Sequence, residues 1–253
     1  MASWGTKRRN FIITIFLSIT FIVIATLAYL FFYQAPNCFD NKQNADEKGI
    51  DCGGACDILC TNQTLEPLVK WTRYFEVIPG IYNVVAYLEN QNVNAGTDNM
   101  EYKFTIYDKN STILSEKTGS IKLRPKEIIP ITVSGLTTGK LQAARVSFEI
   151  TNDVVWNKSE IRNLIIQIKE EQLVQRDGAP RVSAVLENVG FETVKDIDTI
   201  VILYNSEGNA VGVSSTYTPE IGANNRVNIV FTWPQNFSEQ VSRFEIIPLY
   251  DTK

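Results

Sequence analysis

Four cysteines, all between Cys38 and Cys60, are the residues of this chain whose types and spacing could do chemistry. An even number in so short a stretch reads as two disulfides on the oxidising side of a membrane, and spacing alone leaves open all three pairings of Cys38, Cys52, Cys56 and Cys60. Cys52-Gly-Gly-Ala-Cys56 would instead offer a dithiol for exchange. Three intervening residues rather than two, and no thioredoxin-like βαβ pattern, argue against that. A second chemistry lies over the first: Asp40, Asn41, Asn44, Asp46, Glu47 and Asp51 set six side-chain oxygens within the twelve-residue length of an EF-hand loop. Asp40, Asn44, Asp46 and Asp51 are the candidate calcium ligands. Lys42 and Lys48 fall at loop positions three and nine, and Ala45 stands where the loop needs glycine, so a solvated acidic turn under disulfides is the competing reading.

The chain contains no histidine. That removes Ser-His-Asp, Cys-His and His-ligated metal sites, and no pair of acids or lysines stands out in their place, so the expectation is a protein without enzymatic activity. Trp71, Trp156 and Trp233 are the aromatic candidates for binding. Trp71 and Trp233 lie on alternating stretches and read as core, whereas Trp156, in Asp153-Val-Val-Trp-Asn-Lys158, could wedge two domains apart or face a partner.

These residues follow an uncharged run, Phe11 to Tyr33, in which fifteen of 23 residues are Phe, Ile, Leu or Val. As a helix it would extend about 34 Å, enough for a hydrocarbon core of roughly 30 Å. It is longer than the h-region of a cleaved signal and lacks a small-x-small end, which favours a retained anchor. Lys7, Arg8 and Arg9 precede it and the next basic residue is Lys42, so the positive-inside rule puts residues 1–10 in the cytoplasm and everything after residue 33 outside. The exterior part holds all 28 acidic residues and 21 of the 24 basic ones, a formal charge of −7 that disfavours nucleic acid.

The spacing carried by Cys38, Asp40, Asn44, Glu47, Gly49, Asp51, Cys52, Gly53, Gly54 and Cys56 resembles a small cysteine-rich module of bacterial and archaeal surface proteins. Asn41 and Ala45 replace glycines expected there. The resemblance implies a surface or envelope location and no catalysis.

Beyond the cysteines the chain repeats itself. Asn83-Val-Val-Ala-Tyr-Leu-Glu-Asn90 and Arg181-Val-Ser-Ala-Val-Leu-Glu-Asn188 share x-Val-x-Ala-x-Leu-Glu-Asn, Tyr107 matches Tyr204, and Phe148-Glu-Ile150 matches Phe244-Glu-Ile246. Period-two alternation and turn residues at Pro79-Gly80, Asp108-Lys-Asn110, Asp177-Gly178, Ser206-Glu-Gly208 and Gly222-Ala-Asn-Asn225 predict about seven short antiparallel strands per copy, packed as a two-sheet sandwich. Lys169-Glu170-Glu171 and Lys195-Asp-Ile-Asp198 read as charges that protect strand edges.

The expected fold is thus mainly β: a tail (1–10), a transmembrane helix (11–33), a disulfide neck (34–62) and two tandem sandwiches (65–152 and 160–250). Phe104-Thr-Ile-Tyr107-Asp108 with Lys122-Leu-Arg-Pro125, and Val201-Ile-Leu-Tyr204-Asn205 with Glu207-Gly208 and Ile221-Gly222, are similar to the FxLYD-type and LEA14-like domains of prokaryotic surface proteins and, more broadly, to immunoglobulin-like and fibronectin-like sandwiches. The expectation for function is a single-pass surface protein, held in lipid by residues 11–33, that binds an envelope protein or glycan or plays a structural role. An accessory subunit of a membrane complex is the alternative. Asn62, Asn110, Asn157 and Asn236 begin N-glycosylation sequons.

Overall fold

The structure, a computed structural model, describes residues 4–32, 37–44, 46–161, 163–174, 180–237 and 239–251. Tyr33 at the end of the expected span, Ala45, the turn at Asp177-Gly178 and Ser238 of the last sequon lie outside the described residues. Residues 1–60 and 61–253 form two compact units.

In the first unit, helix α1 (Trp4–Phe32) has 29 residues, about 43 Å at 1.5 Å each, and begins ahead of the apolar run. Its length and composition suffice to cross a membrane, and none of its side chains from Arg8 to Phe32 is buried. Thr14, Ser18, Thr20 and Thr26 each donate to the carbonyl four residues earlier at 2.8–2.9 Å. The helix therefore satisfies these four hydroxyls itself, as a lipid-facing segment must.

The second unit is built almost wholly of strands. The first copy comprises β1 (Leu68–Ile78), β2 (Ile81–Glu89), β3 (Ala95–Tyr107), β4 (Ile113–Leu123), β5 (Ile128–Thr137) and β6 (Arg145–Ile150). After the two-residue β7 (Asn157–Lys158), which pairs with the start of β3, the second copy comprises β8 (Ile166–Val174), β9 (Arg181–Asn188), β10 (Val194–Tyr204), β11 (Ala210–Ile221), β12 (Arg226–Thr232) and β13 (Arg243–Leu249). Each copy thus has six main strands instead of about seven, because runs such as the 13-residue β3 continue through bulges that interrupt the alternation. The sheet orders are β1-β2-β5 and β4-β3-β6 in the first copy, and β8-β9-β12 and β11-β10-β13 in the second. One topology is used twice. In the second copy Val182, Ala184 and Leu186 of one sheet share a core with Val201, Leu203 and Ile246 of the other, so the sheets face each other as a sandwich.

The register shows what the repeated motif is for. Ala86 pairs with Ile131 and Ala184 with Ile229, while Val84, Leu88, Val182 and Leu186 are fully buried. The closing asparagine is buried in both copies. Asn90 Nδ2 donates to the carbonyls of Ala95 and Arg124 at 2.7 Å, and its Oδ1 accepts from Asn92 N. Asn188 Nδ2 donates to the carbonyls of Glu192, Ile221 and Gly222, and its Oδ1 accepts from Gly190 N. One amide thereby satisfies carbonyls that two loops would otherwise bury without donors.

Two readings of the sequence are corrected. Phe104 pairs with Phe148 but Val201 pairs with Ile246, and Arg145 and Arg243 lie over the rings of Tyr107 and Tyr204 at 4.0 and 3.7 Å. Phe148 therefore corresponds to Ile246, not Phe244; a strand of period two keeps its pattern when slipped by two residues. Lys195 to Asp198 lie at the start of β10, the central strand of its sheet, where Asp196 takes φ +52° without breaking the register with β11 and accepts a hydrogen bond from the Tyr217 hydroxyl. Lys169-Glu170-Glu171 do lie on an edge strand, β8, at a bulge where Glu170 takes φ +52°.

Candidate functional site

Outer faces of the two copies meet. Trp71, Phe75 and Tyr87 of the β1-β2-β5 sheet, with the fully buried Val85, pack against Ile200, Ile202, Tyr204, Ala210, Val213 and Leu249 on the far side of the second sandwich. Trp71 and Tyr87 stack with ring centroids 5.2 Å apart. Each copy offers a different face, so the contact is heterologous and could in principle continue in both directions.

The positions equivalent to the buried ones show why it stops. Thr105 and Glu116 occupy in the first copy the paired positions of Ile202 and Val213 in the second, and Lys103 and Glu149 occupy those of Ile200 and Ile247. Lys103 lies 3.5 and 3.7 Å from Glu116 and Glu149. Likewise Lys169 and Val185 pair where Trp71 and Tyr87 pair in the first copy. One structural position is apolar where sheets meet and charged where the stack ends.

Polar ties surround the apolar patch. The Tyr87 hydroxyl donates to Glu245 Oε1 at 3.0 Å and the Tyr204 hydroxyl to Oε2 at 3.2 Å. Burial, reinforced by the Glu245 charge, raises both tyrosines, Tyr204 to about 12. Arg73 Nη2 donates to Asn209 Oδ1 at 2.9 Å. Asp251 is 2.8 Å from Lys122 Nζ and 3.4 Å from Arg124 Nη2. Burial works to raise Asp251, but these two cations together hold it below the usual carboxylate range.

The neck pairs Cys38 with Cys56 and Cys52 with Cys60, so the two cysteines of Cys52-Gly-Gly-Ala-Cys56 sit in different bridges. Gly54 takes φ +58°, and a Cβ there would lie 2.1 Å from the Asp46 carbonyl oxygen, so only glycine fits. The acidic residues fold the loop onto itself. Asp51 accepts the amides of Asp40 and Asn41, Asp40 accepts from Lys42 N and Asn44 Nδ2, and Glu47 Oε2 accepts Asn44 N. Asp40, Asp46 and Asp51 do not converge. Among the described residues, only Cys38, Glu47 and Cys56 bring three acid or sulfur ligand atoms within 4.8 Å of one another, and both sulfurs are committed to a disulfide.

Trp156 is 4 % exposed, so its ring offers no surface to a partner. Trp233 is buried and donates Nε1–H to the Val213 carbonyl at 3.2 Å. Trp71 belongs to the junction between copies, not to a sandwich interior. Tyr87, Glu245 and Tyr204 escape a reading by alternation. Their signal is the doubled apolar pattern of Val84-Val85-Ala86-Tyr87-Leu88 and Ile200-Val-Ile-Leu-Tyr204, which marks strands covered on both faces.

Neither family models nor curated proteins match this chain. Among solved structures it is similar to the crystal structure of red sea bream transglutaminase, with 11% identity, a TM-score of 0.24, and coverage of 75% of this chain and 32% of that one. The chain spans about a third of that protein's length. A TM-score this low carries no argument about fold or activity.

Proposed function

We propose that this is a single-pass membrane protein with its N-terminus in the cytoplasm, whose exterior part is a non-catalytic binding module of the prokaryotic cell surface. In this reading the sandwiches are of the immunoglobulin-like kind, nearest the FxLYD and LEA14-like domains. The observation that carries the proposal is an apolar helix whose Thr14, Ser18, Thr20 and Thr26 hydroxyls are bonded to its own backbone, followed directly by a doubly crosslinked neck. A helix that satisfies its own polar groups has little with which to recognise another helix, which favours an anchor over an assembly element. The joined sandwiches then form a preorganised body that presents loops and strand edges to an envelope partner. Replacing residues 11–33 with an unrelated apolar span tests this. Partners captured by crosslinking on intact cells through a C-terminal tag should be unchanged; their loss would instead support an accessory subunit assembled through its span.

A further inference from the structure

The junction leaves a cleft of about 590 Å³ along one side, bordered by the edge strands β1, β6 and β11. Successive residues of one face of β1, Trp71, Arg73 and Phe75, lie along it, so a guanidinium stands between two aromatic rings. Arg145, at the start of β6, faces the same cleft. Neither arginine has a carboxylate within 4 Å among the described residues: Arg73 donates to the Asn209 amide oxygen, and Arg145 lies over the Tyr107 ring. Lys70, Lys103, Lys122, Arg124 and Arg226, by contrast, are all ion-paired. Among the described residues the one acid lining the cleft, Glu239, already accepts a hydrogen bond from Asn205 Nδ2. The exterior is acidic as a whole, yet two guanidinium groups are left without counter-charges beside Trp71 and Tyr74.

From this geometry we propose that the cleft binds an acidic oligosaccharide, one carrying uronate or sulfate groups. A guanidinium presents a planar fork that matches a carboxylate or sulfate in bidentate fashion, while pyranose C–H faces stack on aromatic rings. The volume lies in the ordinary range for ligand clefts. An added peptide strand is disfavoured, because register shifts between Val69 and Trp71 and between Glu76 and Ile78 interrupt the β1 edge at both ends. The inference deepens the reading of residues 61–253 as an exterior binding module and rests on it.

The test uses the purified full-length protein in detergent micelles, with tetragalacturonate, its methyl ester and hexaglutamate as probes in calorimetry. Tetragalacturonate should bind, with the ester and the peptide at least about tenfold weaker. Arg73→Gln with Arg145→Gln should weaken tetragalacturonate about tenfold while the variant keeps the far-ultraviolet circular dichroism of the parent, and Arg73→Lys with Arg145→Lys severalfold, through loss of the fork. Glu239→Gln, which keeps an oxygen for Asn205, should tighten binding and decides the matter if the arginine variants misfold. No binding at millimolar probe, equal binding of the ester or the peptide, or no response to the Glu239 variant would overturn the proposal. Because binding is read on purified protein, these outcomes are independent of which side of the membrane the module occupies in the cell.

Discussion

The hydroxyl of Tyr87, in the first sandwich, donates a 3.0 Å hydrogen bond to Oε1 of Glu245 in the second, and Tyr204 holds the other oxygen of the same carboxylate. This half-buried carboxylate has a donor for each oxygen only while the sandwiches are joined. Tyr87→Phe removes one donor and should cost about 1–3 kcal/mol in denaturant unfolding of the whole 61–253 unit. A loss confined to one copy, seen as a second transition, would show that the copies are independent.

Ile202→Thr with Val213→Glu copies Thr105 and Glu116 of the first sandwich into the second. It places a carboxylate in the apolar junction and should cost more than about 3 kcal/mol there. Unfolding followed by near-ultraviolet circular dichroism should split into two transitions. Conversely, Lys103→Ile, Thr105→Ile and Glu116→Val should create a second joining face, and light scattering should report chain-to-chain association.

Alkaline pH acts on the same contact. Tyr87 and Tyr204 are raised in the folded state, Tyr204 to about 12, so their contribution is complete below the unfolded value near 10 and is lost as pH rises toward and through 12. Tyrosinate absorbance should show these two phenols ionising last, and the Glu245→Gln variant should bring both to lower pH. At the acid end, Asp251 contributes above its unfolded value near 4 and loses that contribution as pH falls through its lowered folded value. Asp251 is 57% exposed at the side chain, so Asp251→Asn should cost no more than about 1 kcal/mol.

Asn90→Ala and Asn188→Ala should be more severe than their place at strand ends suggests. Each leaves buried carbonyls without donors, a penalty of about 1–3 kcal/mol per group. Thermal melts of the single variants test this. A change within about 0.5 kcal/mol would mean that water replaces the amide.

Much of this architecture was legible in the residues themselves. The alternation of Val84, Ala86 and Leu88, the turn chemistry at Pro79-Gly80 and Asp108, and the repeat at Asn83 and Arg181 are local signals, and local physics acts on them directly. The junction was harder to read because Val85 and Tyr87 look like the outer face of an ordinary strand until Ile200 and Ile202 are placed opposite them. The asparagine of Leu-Glu-Asn stood inside the motif, yet only its three-dimensional neighbours reveal three or more partners. Trp156 shows the converse: a tryptophan between repeats invites a binding role, and burial removes it.

In the neck, the disulfides take the place of a core. The Cys38–Cys56 bridge spans 18 residues, and its loss should cost about 3 kcal/mol by loop entropy, disordering residues 37–60. Because Asp51 spends its oxygens on the amides of Asp40 and Asn41, and Asp40 spends its own on Lys42 N and the Asn44 side-chain amide, chelation with EDTA should leave the melting temperature unchanged.

In the proposed topology, residues beyond the helix lie on the outer side of the membrane. A membrane-impermeant amine reagent applied to intact cells or spheroplasts, followed by peptide mass mapping, tests it most directly through the exposed Lys42, Lys109 and Lys117. All three should be modified without permeabilisation. Modification of these lysines only after permeabilisation would contradict it.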